Sequence, residues 1–214
     1  MGDLDRQREY WDTTGTTKTF GHPFDPAWLA GLAPTARILD YGCGYGRLTG
    51  ELAGHGWTGV EGVDVAPQLL ARARAAHPAA RFTVLDEPPR LPHAAAAFDA
   101  ALLFAVLTCI PTDEGQRALL AELHRVLAPG ALLYVSDMGL QDDERNRARY
   151  ERFAAVHGTY GVFETGDGAV VRHHTDAWFA DLFAAFDPVD SREIPVRTMN
   201  GNPVSARQFL LRRV

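Results

Sequence analysis

Short apolar runs that end in an acid recur along the chain, and each is followed by apolar residues at helical spacing. The runs are Ile38-Leu39-Asp40, Val60 to Asp64, Phe82 to Asp86 and Leu132 to Asp137, with Ala100 to Leu103 as a fifth run lacking the terminal acid. Unbroken apolar stretches of this length mark strands buried on both faces. They predict strands over Arg37–Asp40, Thr58–Asp64, Arg81–Leu85, Phe98–Leu103 and Ala131–Ser136. Between them, Arg47 to Ala53 reads as a helix, and Pro67 opens another whose Leu69, Leu70, Ala73 and Ala76 share a face. Thr112-Asp113-Glu114 caps a third, with Leu119, Leu120, Leu123 and Leu127 inward. Gly54-His55-Gly56, His77-Pro78 and Pro129-Gly130 are the stops. Strand and helix in alternation predict an α/β fold with a doubly wound, mostly parallel sheet.

After Asp137 the pattern changes. The next helix with a packing face, Asp176 to Ala185, is capped by Thr175 and carries Trp178, Phe179, Leu182 and Phe183. The intervening stretch, 138–174, is longer than an ordinary connection. It reads as a helix from Asp142 to His157, then a hairpin of Tyr160–Thr165 and Ala169–His174 about a Gly166-Asp167-Gly168 turn. Two final strands, Val189–Thr198 and Ser205–Arg212, are joined through Met199-Asn200-Gly201-Asn202-Pro203 and run antiparallel. Residues 1–35 precede the first strand and are rich in rings. Phe24 and Trp28 are expected to cover one edge of the core, and Tyr10-Trp11 to form part of a lid. The whole, 1–214, reads as one domain.

Composition narrows the function classes. The net charge of −6 and the dispersal of basic residues among acids exclude the basic face that nucleic acid or an anionic membrane requires. The most apolar window, Ala94 to Ile110, contains Asp99 and falls short of a membrane span. The N-terminus lacks the apolar core of a signal peptide, and two cysteines, Cys43 and Cys109, without framework spacing suit a reduced, cytoplasmic setting. No zinc-type Cys/His spacing occurs, so no metal is expected.

The candidate chemistry begins at Asp40-Tyr41-Gly42-Cys43-Gly44-Tyr45-Gly46. Glycines allow φ > 0 and let a ligand touch bare backbone, and the helix after them offers unpaired N–H groups. A glycine turn alone is also an ordinary tight turn. The second observation is Asp64, about 20 residues on, where an acid can accept from both ribose hydroxyls of a nucleoside. A dinucleotide fingerprint would place its third glycine at position 47; that residue is Arg47, which argues against a nicotinamide dehydrogenase.

With these residues the chain resembles the class I S-adenosylmethionine-dependent methyltransferases, over roughly residues 36 to 137. The resemblance implies a seven-stranded, Rossmann-like methyltransferase fold and S-adenosyl-L-methionine as cofactor; the residue pattern itself adds the antiparallel last strand and a cap insertion, 138–174, after strand five. The resemblance also implies that Asp40, Gly42, Gly44 and Gly46 form the cofactor platform, Asp64 and Val65 the ribose site, and Asp86 the adenine site, with Phe104 and Tyr10 beside them. Asp86 is also a natural turn residue before Pro88-Pro89. Where many members carry a histidine this chain has Cys109, and Ala105 stands where they carry polar residues, so the usual base is absent. A buried thiol serving as a small hydrophobe is the plain reading of Cys109.

Ligands of open α/β sheets sit at the carboxyl ends of the strands, so the segment after Asp137 starts on the active face. The acceptor candidates are Trp11, His22, Asp137, Tyr160, Phe163, Met199 and Asn200, and the candidate bases are His173 and His174. Adjacent strand residues point to opposite faces, so at most one of these two histidines is expected to face a pocket. Arg145, Arg147, Arg149 and Arg152 alternate with acids and read as a solvated charged face. The acceptor expected is a small molecule methylated on oxygen or nitrogen. The alternatives are a protein or peptide acceptor, or a cofactor-binding regulatory module without catalysis. A homodimer is the one protein assembly entertained.

Overall fold

A computed structural model describes residues 3–214. Its strands are β1 (Arg37–Tyr41), β2 (Gly59–Asp64), β3 (Arg81–Val84), β4 (Phe98–Phe104), β5 (Leu127–Met138), β6 (Val162–Glu164), β7 (Val170–Arg172), β8 (Phe186–Arg197) and β9 (Pro203–Arg213). Seven of them form one sheet in the order β3-β2-β1-β4-β5-β9-β8. β1 to β5 pair in parallel, while β9 is antiparallel to both β5 and β8. The sheet is therefore the expected mostly parallel one, with a single reversed strand. The helices are α1 (Asp3–Asp12), α2 (Arg47–Gly54), α3 (Pro67–Ala76), α4 (Asp113–Val126), α5 (Glu144–His157) and α6 (Asp176–Leu182).

Strand alternation divides the core between the two faces. Ile38 and Leu102 point toward Leu48 and Leu52 of α2 and Leu29 of the N-terminal segment. Their neighbours Leu39 and Leu103 point toward Leu119 and Leu123 of α4 and Phe179 of α6. Phe24 and Trp28 pack on the first of these clusters, with Trp28 4.6 Å from the ring of Tyr134. Thr112, Asp143 and Thr175 cap α4, α5 and α6 through side-chain bonds to Gly115, Asn146 and Trp178.

Two boundaries differ from those the sequence predicts. Pro129-Gly130 does not separate helix from strand: β5 already begins at Leu127, opposite Phe98, and the register shifts before Ala100 pairs with Leu132. The pair is accommodated as an irregularity within the strand, with Gly130 at φ 79°. β8 begins at Phe186 rather than Val189, because Phe186 and Asp187 still find partners on β9.

The segment after β5 holds α5 and the hairpin of β6 and β7. It shares a small core with α1: Tyr10 packs with Tyr150, Phe163, Ala169 and Val171. Arg8 donates to the carbonyls of Val65 and Leu85 at the ends of β2 and β3, at 3.0 and 2.8 Å. Asp12 accepts from the Gln68 N–H in the first turn of α3, at 2.8 Å. α1 is thereby tied to the sheet and to the insertion together. No helix among the described residues is long and apolar enough to cross a membrane.

Candidate active site

Two hollows meet at the carboxyl ends of the central strands. The smaller, about 110 Å³, is lined by Asp40, Gly42, Gly44, Asp64, Val65 and Phe104, together with Gln7, Trp11 and Leu85. Its floor is bare backbone held open by geometry. A Cβ on Gly42, at φ 70°, would fall 2.5 Å from Val106 Cγ2; one on Gly44, at φ 55°, would fall 3.3 Å from Phe20 Cε2. Asp40 Oδ2 accepts from the Thr49 N–H and hydroxyl at 3.0 and 2.8 Å, which fixes the start of α2 against β1. Burial pushes its carboxyl up to about 6, against the pull of the Thr49 bonds.

Asp64 Oδ2 accepts from Gly44 N–H at 2.8 Å and Oδ1 from Ala66 N–H at 2.9 Å. Burial raises its pKa and these backbone bonds oppose the rise. A carboxylate offers about four acceptor sites, so two remain for hydroxyls in the hollow. An uncovered peptide floor beside an acid with spare lone pairs fits an adenosyl group.

The larger cavity, about 570 Å³, shares Trp11, Phe20, Ala105 and Cys109 with the smaller one. Ala105 is held at φ 55°, a left-handed conformation unusual for a residue with a side chain, while its N–H donates to Ser136 O at 2.7 Å. The Cys109 sulfur lies 3.4 Å from Ala105 O, and burial drives its thiol well above the ordinary range, so it stands neutral in the shared wall.

Two imidazoles line this cavity. His22 Nδ1 lies 2.8 Å from Ser136 Oγ, and its buried Nε2 has no partner. Burial, and after it the charge of Arg47, pushes His22 down to about 4. His173 Nδ1 lies 2.6 Å from the Tyr150 hydroxyl, and burial drives its pKa well below the ordinary value.

The remaining candidates divide. Val65 and Phe104 line the small hollow; Trp11, Phe163, Met199 and Asn200 line the large one. Of the histidine pair only His173 does so. His174 is corrected to a structural residue: Gln116 Nε2 donates to its Nε2 at 2.8 Å and its Nδ1 donates to Met138 O at 3.0 Å, leaving no site for a proton. Asp86 does not line the hollow. Its side chain is 87% exposed and faces Arg8 at 3.5 Å, while Leu85 and Pro88 form that wall.

Tyr10 turns away into the small core, its hydroxyl 3.1 Å from Asp167, whereas Trp11 reaches both hollows. Adjacent helical residues point about 100° apart, so the two rings part. Gly46 serves packing, at φ 82° with Ala73 and Phe82 each 3.1 Å from a Cβ position. Asp137 is fully buried and braces the turn at Thr108, whose N–H lies 3.1 Å from Oδ1. Tyr160 is 46% exposed and rests its edge on Tyr150.

The sequence did not reveal Gln7, which joins Trp11 one turn later on the α1 face toward the small hollow. It also misplaced the arginines: Arg145, Arg149 and Arg152 line the large cavity, and Arg147 does not. Their spacing of four and three residues, one helix face, was the available signal.

Strand order, glycine floor and acid together define an α/β protein whose sheet edge offers a hollow fit for a nucleoside. Residues 38–130 match the family model of a methyltransferase domain. The chain is 36% identical over 126 residues to trans-aconitate 2-methyltransferase of Variovorax paradoxus, covering 58% of this chain and 46% of that protein. An S-adenosylmethionine-dependent methyltransferase of Methanosarcina mazei shares the fold at a TM-score of 0.84 and 24% identity, over 90% of this chain and 99% of that one. So does 1,6-didemethyltoxoflavin-N1-methyltransferase of Burkholderia thailandensis, solved with 1,6-didemethyltoxoflavin and S-adenosylhomocysteine, at 0.66 and 23% over 99% and 86%. The chain spans 22% to 49% of the length of the curated relatives compared. The chain is thus similar to methyltransferase domains over residues 38–130 and shares its overall fold with an S-adenosylmethionine-dependent methyltransferase.

Proposed function

We propose that the chain methylates an oxygen or nitrogen of a small-molecule acceptor. The observation that carries this reading is the pair of adjoining hollows with a common wall of Trp11, Phe20, Ala105 and Cys109. One has the bare floor and acid that an adenosyl group requires. The other, at about 570 Å³, has the size of a small-ligand site. Bound in the first, S-adenosylmethionine would supply an electrophilic methyl on a sulfonium.

Asp64 would hold the ribose, Gly42 and Gly44 the backbone side, and Leu85 and Pro88 the base. Trp11 and Phe20, from the N-terminal segment, and 138–174 form the roof in this reading and exclude water. The acceptor's lone pair forms the new bond to the methyl as the methyl–sulfur bond breaks and its electron pair returns to sulfur. The acceptor's proton goes to His22 Nε2, in the tautomer whose Nδ1–H donates to Ser136 Oγ. A base that weak does not strip a neutral alcohol beforehand; it takes the proton as bond formation makes it acidic. His173, with Nδ1 held by Tyr150, is the second imidazole at the cavity.

Calorimetry with S-adenosylhomocysteine tests the cofactor half. The native chain binds it, and Asp64→Asn weakens binding at least about tenfold while keeping the native circular dichroism. Undiminished binding by the folded variant contradicts the assignment. Mass-spectrometric screening of metabolite pools for a gain of one methyl tests the acceptor half. Methylation confined to peptides contradicts it.

A further inference from the structure

The large cavity is lined by four arginines that no carboxylate pairs with among the described residues. Arg145, Arg149 and Arg152 face it from α5 and Arg197 from the end of β8, against a single acid, Glu164. Of the four, Arg149 is half-buried and Arg145, Arg152 and Arg197 are exposed, while Arg47 pairs with Glu51, Arg172 with Asp113 and Arg192 with Asp25. Among the described residues none of the cavity four has a carboxylate partner. Arg145 donates to Asn202 Oδ1 at 2.9 Å and Arg197 to Gly201 O at 3.0 Å, both neutral. Arg149 lies 3.6 Å over the ring of Phe163, and Arg152 lies 5.0 Å over that of Phe153.

Neither of the two acids nearby forms an ion pair with the four arginines. Asp143, whose charge reaches Arg149, caps α5 through the Asn146 N–H and side-chain amide. Glu164 faces His157 at 3.4 Å. Buried polar atoms in the lining lack partners as well: Arg149 Nε and Asn146 Oδ1, the latter on a residue only 4% exposed.

Clustering like charges costs free energy, and the cost grows as water is excluded. An acidic chain with acids to spare has placed four cations round one cavity. A sulfonium bound next door would add a fifth positive charge, which an anionic guest offsets. We infer that the large cavity is built for an acceptor bearing a carboxylate or phosphate, anchored by Arg145, Arg149, Arg152 and Arg197. Guanidinium forks match either group in bidentate fashion. This deepens the acceptor reading above and rests on it.

The test is calorimetric titration of the full chain, with and without saturating S-adenosylhomocysteine, at constant ionic strength. The probes are tricarballylate, phthalate and phenyl phosphate, with tricarballylamide, phthalamide and triethyl phosphate as uncharged counterparts. At least one anion is expected to bind tenfold or more tightly than its counterpart. The carboxylate and phosphate arms then say which group the site takes. Arg149→Met should weaken that binding by about 10- to 100-fold, as should the exposed-site double variant Arg145→Gln/Arg197→Gln. Arg147→Gln, on the opposite side of the helix, should stay within about twofold of the native chain.

Counterparts binding as well as the anions, no anion binding at all, or full affinity in the double variant each overturn the inference. Loss of S-adenosylhomocysteine binding by the native chain would instead sink the cofactor reading, and the titrations without it would still decide the charge question.

Discussion

Gly42 shows how much rests on single atoms here. A methyl group there would press on Val106 Cγ2 and sit at a φ that side chains avoid. Gly42→Ala is therefore expected to destabilise the fold by about 1–2 kcal/mol and to weaken S-adenosylhomocysteine binding, by thermal melting and calorimetry. Adding Val106→Ala should recover only part of the loss, because the backbone strain remains. His22 gives a pH prediction. Its pKa lies near 4 rather than 6.5, so the imidazole is already neutral and able to accept a proton through the ordinary range. The profile of kcat/KM should show no inflection from His22 near 6.5 and an acid limb only toward pH 4; an acid limb at 6 to 7 that vanishes in His22→Asn contradicts this.

Gly42, Gly44 and Asp64 were legible in the sequence because backbone freedom and an acid at a strand end have few other uses together. Asp86 was not, because the position after β3 offers two directions and Arg8 draws the carboxylate outward. The arginines of α5 were masked by the acids that accompany them in sequence, most of which do not line the cavity.

At the scale of elements, the parallel strands were legible because burial on both faces leaves an apolar run with no alternation. The extent of β5 was not, since Pro129-Gly130 carries the same signature whether it ends a strand or bends one. The insertion was legible as helix plus hairpin, but its docking on α1 depends on contacts between segments far apart in the chain. Tyr150 is the centre of that docking. It is fully buried, its hydroxyl meets His173 Nδ1 at 2.6 Å, and it accepts from Gln141 N–H at 3.2 Å. Tyr150→Phe leaves both groups unpaired and should cost about 1–3 kcal/mol locally. Hydrogen exchange should quicken in 140–174 and in α1 while the sheet stays protected. Uniform loss of protection across the chain would show that the insertion is not a separate unit of stability.

The whole molecule carries a net charge of −6 yet gathers four arginines round one cavity. Its outer strand β8 carries Pro188, Pro195 and several charges, which blunt the sheet edge toward pairing with other chains. The two hollows predict different salt responses: binding of an anionic acceptor should weaken as ionic strength rises, and that of S-adenosylhomocysteine should barely change. Saturation with S-adenosylhomocysteine at about 100 times its Kd should add about 2.7 kcal/mol, raising Tm by about 5–10 °C.

The proposed function depends at every scale on the carboxyl edge of the sheet seating a cofactor against an acceptor cavity through the wall at Trp11, Phe20, Ala105 and Cys109. A crystal structure with S-adenosylhomocysteine is the sharpest check on that arrangement. Ribose hydroxyls are expected on Asp64, adenosyl carbons over Gly42 and Gly44, and the sulfur turned through the Ala105–Cys109 wall toward the arginines. A sulfur facing bulk solvent, or a nucleoside seated away from Asp64, would refute it.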